Sequence, residues 1–233
     1  EGRQPLPNTV QHGALPLPMA DRQCEGVLTA PGRIDEGEVA DMLARRGAAI
    51  IDTDQIAHAL TAPGGAAIAP IVRVFGDSFL TAEGALDRNA MRERVFSDPT
   101  AKQQLEAILH PLIGQQTQIE AGRATGSYLV FVVPLLVESG TWAARVDRVL
   151  VVDCSEALQI ERVMQRNQLS AAQVQAIMAS QASRAQRLAI ADDVIINDKP
   201  LPTLATEVER VHQRYLSMAA EKQARNAGQS KAN

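Results

Sequence analysis

Residues 146–167 read VDRVLVVDCSEALQIERVMQRN, an unbroken β-branched run that passes directly into a helix-forming run. A run such as VLVV has no polar alternation, so both of its faces must be covered, which marks a strand inside a parallel sheet. Residues 127–138, SYLVFVVPLLVE, have the same texture, and AAIID (48–52) and DDVIIN (192–197) are shorter versions of it. Helical periodicity separates them, as in residues 156–167 and 170–180, the latter opened by a Ser170/Gln173 capping box. Strands that alternate with helices predict an α/β fold with a right-handed, doubly wound parallel sheet. In that architecture ligands sit beyond the carboxyl ends of the strands. Asp52, Asp54, residues 134–138, Asp153 and Asn197 are therefore expected on one rim.

The chain has 233 residues and a net charge of -4, so no global basic field recruits nucleic acid or an anionic membrane surface. A small-molecule partner is expected. Cys24 and Cys154 form no CxxC pair, which fits a reducing, cytoplasmic setting and gives no zinc signature. His12, His58 and His212 share no ligand spacing, and no metal site is assigned. No apolar run approaches the roughly 18 residues of a membrane span, and the N-terminus has no signal-peptide core.

Residues 1–38 are rich in Pro, Gly and polar residues and are expected to be largely disordered, with GVLTA (26–30) their single strand candidate. From Val39 the texture is that of an organised core, expected over residues 39–220, with a polar, fraying tail over 221–233. Within the core a helical subdomain is expected at about 63–125: a turn and short helix over 61–76, then two helices broken at SDPT (97–100) and bent at HPL (110–112).

Two acids, Asp52 and Asp54, close the AAIID strand. A carboxylate there can take a hydroxyl proton or hold magnesium. It can equally N-cap the helix that follows. One functional and one capping acid is the expected division. Arg162 and Arg166 stand one helical turn apart, and Arg184 and Arg187 follow across a Gln-rich stretch. Four guanidiniums near a strand rim suit phosphate neutralisation by a mobile lid, although each alone fits a solvated helix face. His110 precedes Pro111 and is expected to leave helical geometry, either facing a cleft or packing locally. Trp142 reads as a packing residue.

Taken in order, residues 48–67, 84–113, 128–140, 146–167 and 181–197 resemble the dephospho-CoA kinase family, over Val39 to about Leu216. The resemblance implies a P-loop NTPase-like sheet, a helical substrate-binding insertion, and an Arg-bearing lid at about 166–188. It implies ATP and Mg2+ as cofactors, dephospho-CoA as acceptor, and phosphorylation of the ribose 3′-hydroxyl. By the same resemblance Asp54 is the catalytic Asp, which orients and deprotonates the hydroxyl, and Arg166 is the catalytic lid arginine. Asp52, His110, Pro111, Pro134, Leu135, Leu136 and Glu138 line the acceptor cleft. Thr29, Arg162, Arg184, Arg187 and Asn197 belong to the nucleotide side.

One block departs from the family pattern. Upstream of the first helix the family carries G-x-x-x-x-G-K-[ST], whose amides, lysine and hydroxyl hold phosphates and magnesium. Residues 28–39 here read LTAPGRIDEGEV. Glu36 falls at the lysine, Gly37 at the hydroxyl, and Arg33 and Asp35 at glycines; only Leu28 and Thr29 match. Such a loop is expected to hold ATP poorly and to leave the chain weak or inactive as a kinase. A different reading frame or start site before Val39 fits the abrupt change better than a relative that lost nucleotide binding, because the lid and acceptor motifs look intact. Two other functions fit parts of the pattern. One is a haloacid-dehalogenase-type phosphatase with Asp52 as nucleophile and Asp54 as acid, the ADD run (191–193) supplying magnesium ligands. The other is a non-catalytic CoA-binding relative.

Overall fold

The computed structural model describes residues 25–29, 36–134, 136–139, 142–198 and 201–230. The expectation of disorder for residues 1–24 and 30–35 falls outside them. The chain divides into two units: the described parts of the first lie within Pro18–Ile51 and Ala124–Asn233, and the second is Asp52–Arg123.

A five-stranded sheet organises the first unit, in the order β2-β3-β1-β4-β5. Its strands are β1 (Glu25–Thr29), β2 (Ala49–Asp52), β3 (Leu129–Val132), β4 (Arg148–Asp153) and β5 (Asp193–Ile196). β1 pairs in parallel with β3 on one side and β4 on the other, Leu28 opposite both Val132 and Leu150, and β4 pairs in parallel with β5. The GVLTA stretch therefore fills the centre of the sheet, which β3 and β4 need as a shared partner.

Both faces are covered, as the unalternating strands require. Val130, Val132, Leu150, Val152 and Ile195 pack with Val39 and Leu43 of α1 (Glu36–Ala44) and with Leu204, Val208, Val211 and Tyr215 of α10 (Leu201–Ser230). From β3, Phe131 lies 5.4 Å, centroid to centroid, from Trp142, and the Arg145 guanidinium lies over the Trp142 ring. Trp142 is thus a packing residue. Next to β2, a Cβ on Gly126 would lie 2.7 Å from the Ala49 amide nitrogen, so only glycine lets this loop approach β2. α10 stays helical to Ser230, through the polar stretch from Glu221 that reads as a fraying end. The Ala, Glu, Lys, Gln and Arg that make it polar are also strong helix formers.

In the second unit α2 (Thr53–Leu60), α3 (Ile68–Phe75) and α4 (Arg88–Ser97) pack on α5 (Pro99–Arg123). Ile56, Leu60, Ile71, Met91, Ala101 and Ala121 are among its buried side chains. The break predicted at SDPT is present: Asp98 ends α4, and its side chain accepts from the Thr100 and Ala101 amides. At HPL α5 runs helically through Pro111, so the proline does not end the helix. Three helices packed along α5 outweigh the one hydrogen bond that proline removes.

A buried histidine gives the first unit a pH-dependent stability. His212 is 5% exposed and its Nδ1 lies 2.9 Å from the Tyr128 hydroxyl. Burial holds its pKa below the ordinary 6.5, the nearby Arg46 cation pushing the same way and Glu209 opposing. The folded state therefore prefers neutral His212, and the unfolded chain takes up the proton first. Stability is complete above about pH 6.5 and falls as pH drops through the folded pKa. Urea titrations at pH 7.5, 6.5 and 5.5 are expected to show this loss, with the His212→Gln variant losing less over the same range. Parallel pH profiles for the two proteins would exclude His212 as the source.

Candidate functional site

At the carboxyl end of β4, Asp153 is 2% exposed. A buried carboxylate must be paired, and Asp153 is held in a two-point grip by Arg184, Nε to Oδ1 at 2.8 Å and Nη2 to Oδ2 at 2.5 Å. Hydrogen bonding to Asp153, and then its charge, raise the Arg184 pKa further above its already high ordinary value. Arg184 stands first in α9 (Arg184–Ala189), which Ser183 and Gln186 open with a capping box. The same strand end fixes Asn197: its amide donates to the Asp153 carbonyl at 2.8 Å, and its own carbonyl accepts from Arg162 Nη2 at 3.1 Å. Next to it, the Asp198 carboxylate accepts from the Ser155 amide at 2.8 Å, at the start of α7 (Glu156–Asn167).

The structure thus brings Arg162, Arg184 and Asn197 together around Asp153, with Thr29 ending the adjacent strand opposite Val151. Arg187 lies on α9 too, but it is buried and its guanidinium donates to the Ala182 carbonyl. It braces the turn into α9. Arg166 sits in the last turn of α7, which Gln168 ends in the left-handed region at φ 55° before α8 (Ala171–Ala179). The Arg166 side chain lies outside the described residues. Asp153, which sequence reasoning placed on the rim without a role, is the organiser of this cluster. Its signal was available: an acid closing a fully buried strand needs a cation, although the partner 31 positions away is not readable from spacing.

After β3, Pro134 is half-buried in the turn to α6 (Leu136–Ser139). The Leu136 side chain is 1% exposed, so it faces core. Leu135 and the side chain of Glu138 lie outside the described residues.

The second unit holds the acid pair, and its geometry separates the two. Asp52 N-caps α2: Oδ1 accepts from the Asp54 and Gln55 amides at 2.8 and 3.1 Å, and Oδ2 from Gln55 Nε2 at 3.2 Å. Asp54 lies in the first turn of α2, half-buried, where the helix dipole stabilises its charge. His110 does not leave the helix as predicted: it and Pro111 are exposed residues within α5, so proline does not aim the imidazole. Among the described residues, no group of three or more His, Cys, Asp or Glu is placed to hold a metal, and no helix is long and apolar enough to cross a membrane.

The dephospho-CoA kinase family model matches residues 30–203. The chain belongs to the dephospho-CoA kinase family. A dephospho-CoA kinase of Burkholderia thailandensis is 58% identical over 192 residues, covering 81% of this chain and 95% of that relative. Among solved structures, TT1252 of Thermus thermophilus superposes with a TM-score of 0.72 at 28% identity, covering 83% of this chain and 98% of the other. The dephospho-CoA kinase of Campylobacter jejuni gives 0.59 at 28% identity, covering 81% and 95%. The doubly wound parallel sheet is thus the P-loop kinase sheet of this family, and membership makes the chain a phosphotransferase. In a dephospho-CoA kinase, however, the β1–α1 connection must hold the phosphates of ATP. Here α1 opens with Glu36, Gly37 and Glu38, which supply neither the ammonium nor the hydroxyl for that task.

Proposed function

We propose that the acceptor and lid halves of this chain serve the phosphorylation of the ribose 3′-hydroxyl of dephospho-CoA. Family membership implies ATP as the phosphoryl donor of this scaffold, with magnesium its expected companion. The observation that supports the reading is that Asp52 caps α2 with its side chain, which favours Asp54 as the acid that meets the hydroxyl. Asp54 orients that hydroxyl and takes its proton as the oxygen becomes a nucleophile. Pro134, Leu135, Glu138, His110 and Pro111 are assigned to the acceptor, and Arg162, Arg166, Arg184 and Asn197 to the nucleotide side. Thr29 and Arg187 support that side through the ends of β1 and α9. The setting proposed is cytoplasmic, with no nucleic-acid or membrane partner.

The phosphatase alternative loses its two supports. An Asp52 with both oxygens in hydrogen bonds is a poor nucleophile, and Asp193, the second acid of the ADD run, is bound by Arg148 and Arg214. Isothermal titration with dephospho-CoA is expected to show one site per chain, and p-nitrophenyl phosphate is expected to release no phosphate. Phosphate release that disappears in Asp52→Asn would overturn the kinase reading.

A further inference from the structure

The first turn of α1 decides what the sheet can hold. β1 and α1 flank the place where a P-loop fold binds phosphate, and both are built normally: β1 is paired on both sides, and α1 buries Val39, Ala40, Met42 and Leu43. What differs is the chemistry between and just inside them. Over residues 28–44 the only cation is Arg33, against Asp35, Glu36, Glu38 and Asp41. Glu36 opens α1 and Glu38 is exposed in the same turn, so the sequence puts acids and no cation in the turn whose positive end would draw phosphate. No Ser or Thr lies between Thr29 and the end of α1, so no hydroxyl is available for the metal that accompanies phosphate. A carboxylate in place of an ammonium about 4 Å from a phosphate exchanges attraction for repulsion, at least roughly 10^3-fold in affinity for the Coulomb interaction alone.

We infer that this chain binds the acceptor, dephospho-CoA, without binding the triphosphate of ATP, and that the first turn of α1 excludes the donor. The inference rests on the acceptor assignment proposed above. It makes the protein a binder of an adenine nucleotide that carries a free 3′-hydroxyl, with phosphoryl transfer reduced at least roughly 10^3-fold from what the same scaffold supports with a phosphate loop.

The test compares the chain with a variant carrying Ala30→Gly, Arg33→Gly, Asp35→Gly, Glu36→Lys and Gly37→Ser, which restores G-x-x-x-x-G-K-S over residues 30–37. Circular dichroism confirms that both are folded. Titrations with Mg-ATP and, separately, with dephospho-CoA, together with CoA formation, are then measured for each. The expected result is dephospho-CoA binding by both, Mg-ATP binding by the variant alone, and CoA formation at least roughly 10^3-fold faster in the variant. Micromolar Mg-ATP binding by the unaltered chain, or CoA formation within tenfold of the variant, overturns the inference and leaves the kinase reading standing. A folded variant that still fails to bind Mg-ATP overturns it as well, because the first turn of α1 is then not what excludes the donor. A variant that binds Mg-ATP but neither binds dephospho-CoA nor forms CoA upholds donor exclusion and overturns the acceptor reading.

Discussion

In the loop-restored background, Asp54→Asn is expected to lower CoA formation by about 10^2- to 10^4-fold while changing dephospho-CoA affinity only a few-fold. Asparagine keeps the size and the place in the first turn of α2, but it cannot accept a proton, so the loss should fall on kcat rather than on KM. The neighbouring acid gives the opposite signature. Asp52→Ala removes the acceptor for the Asp54 and Gln55 amides, costing about 1 kcal/mol of stability. Its effect on rate comes only through a loosened start of α2. Equal rate losses in the two variants would show that the acids act together, and the division made here would fail.

That division is half visible in the sequence. The strand ending in IIDTD and the helix-forming run after it signal a cap, since an acid before a helix finds two or three unsatisfied amides. Which of the two acids caps depends on where the helix starts, and α2 begins at Thr53. The central strands were legible for a related reason: β3 is buried at all four positions and β4 at five of six, and only unalternating apolar runs satisfy that. Long-range pairings were not legible. Nothing near GVLTA announces that it joins residues more than a hundred positions away, and nothing near Asp153 names Arg184. Local rules failed where packing overrode them. Pro111 removes a helical hydrogen bond, yet α5 continues through it, packed against α2, α3 and α4.

The largest stability effect is expected at the opposite end of the sheet from the Asp153 cluster, where Asp193 opens β5. Its side chain is 1% exposed and accepts from Arg148 Nε at 2.6 Å, from Arg214 Nη1, and from the Tyr215 hydroxyl at 3.2 Å. One carboxylate thereby ties the first residues of β5 and β4 to α10. Burial alone would raise its pKa, but the two guanidiniums hold it below the usual carboxylate range. Burial pushes the Tyr215 phenol well above its ordinary value, so it stays protonated as a donor to Asp193. Asp193→Asn removes the charge that both guanidiniums face and can turn an amide N–H toward donors. Breaking a buried pair costs about 3 to 5 kcal/mol. Arg214 is half-exposed, so solvent screens its share, and the lower end, about 3 kcal/mol, is expected. In a chain of this size that lowers Tm by roughly 6 to 12 °C. Tyr215→Phe, which removes one neutral donor, should cost about 1 kcal/mol. The sign of the pH dependence follows from the lowered pKa: the contribution is present above about pH 4 and is lost as pH falls through the folded value. The gap between the parent chain and Asp193→Asn in urea titrations should therefore narrow in acid. A gap below about 0.5 kcal/mol at pH 7, within the range of ordinary surface substitutions, would show that the three donors find other acceptors and that Asp193 does not hold β5 to α10.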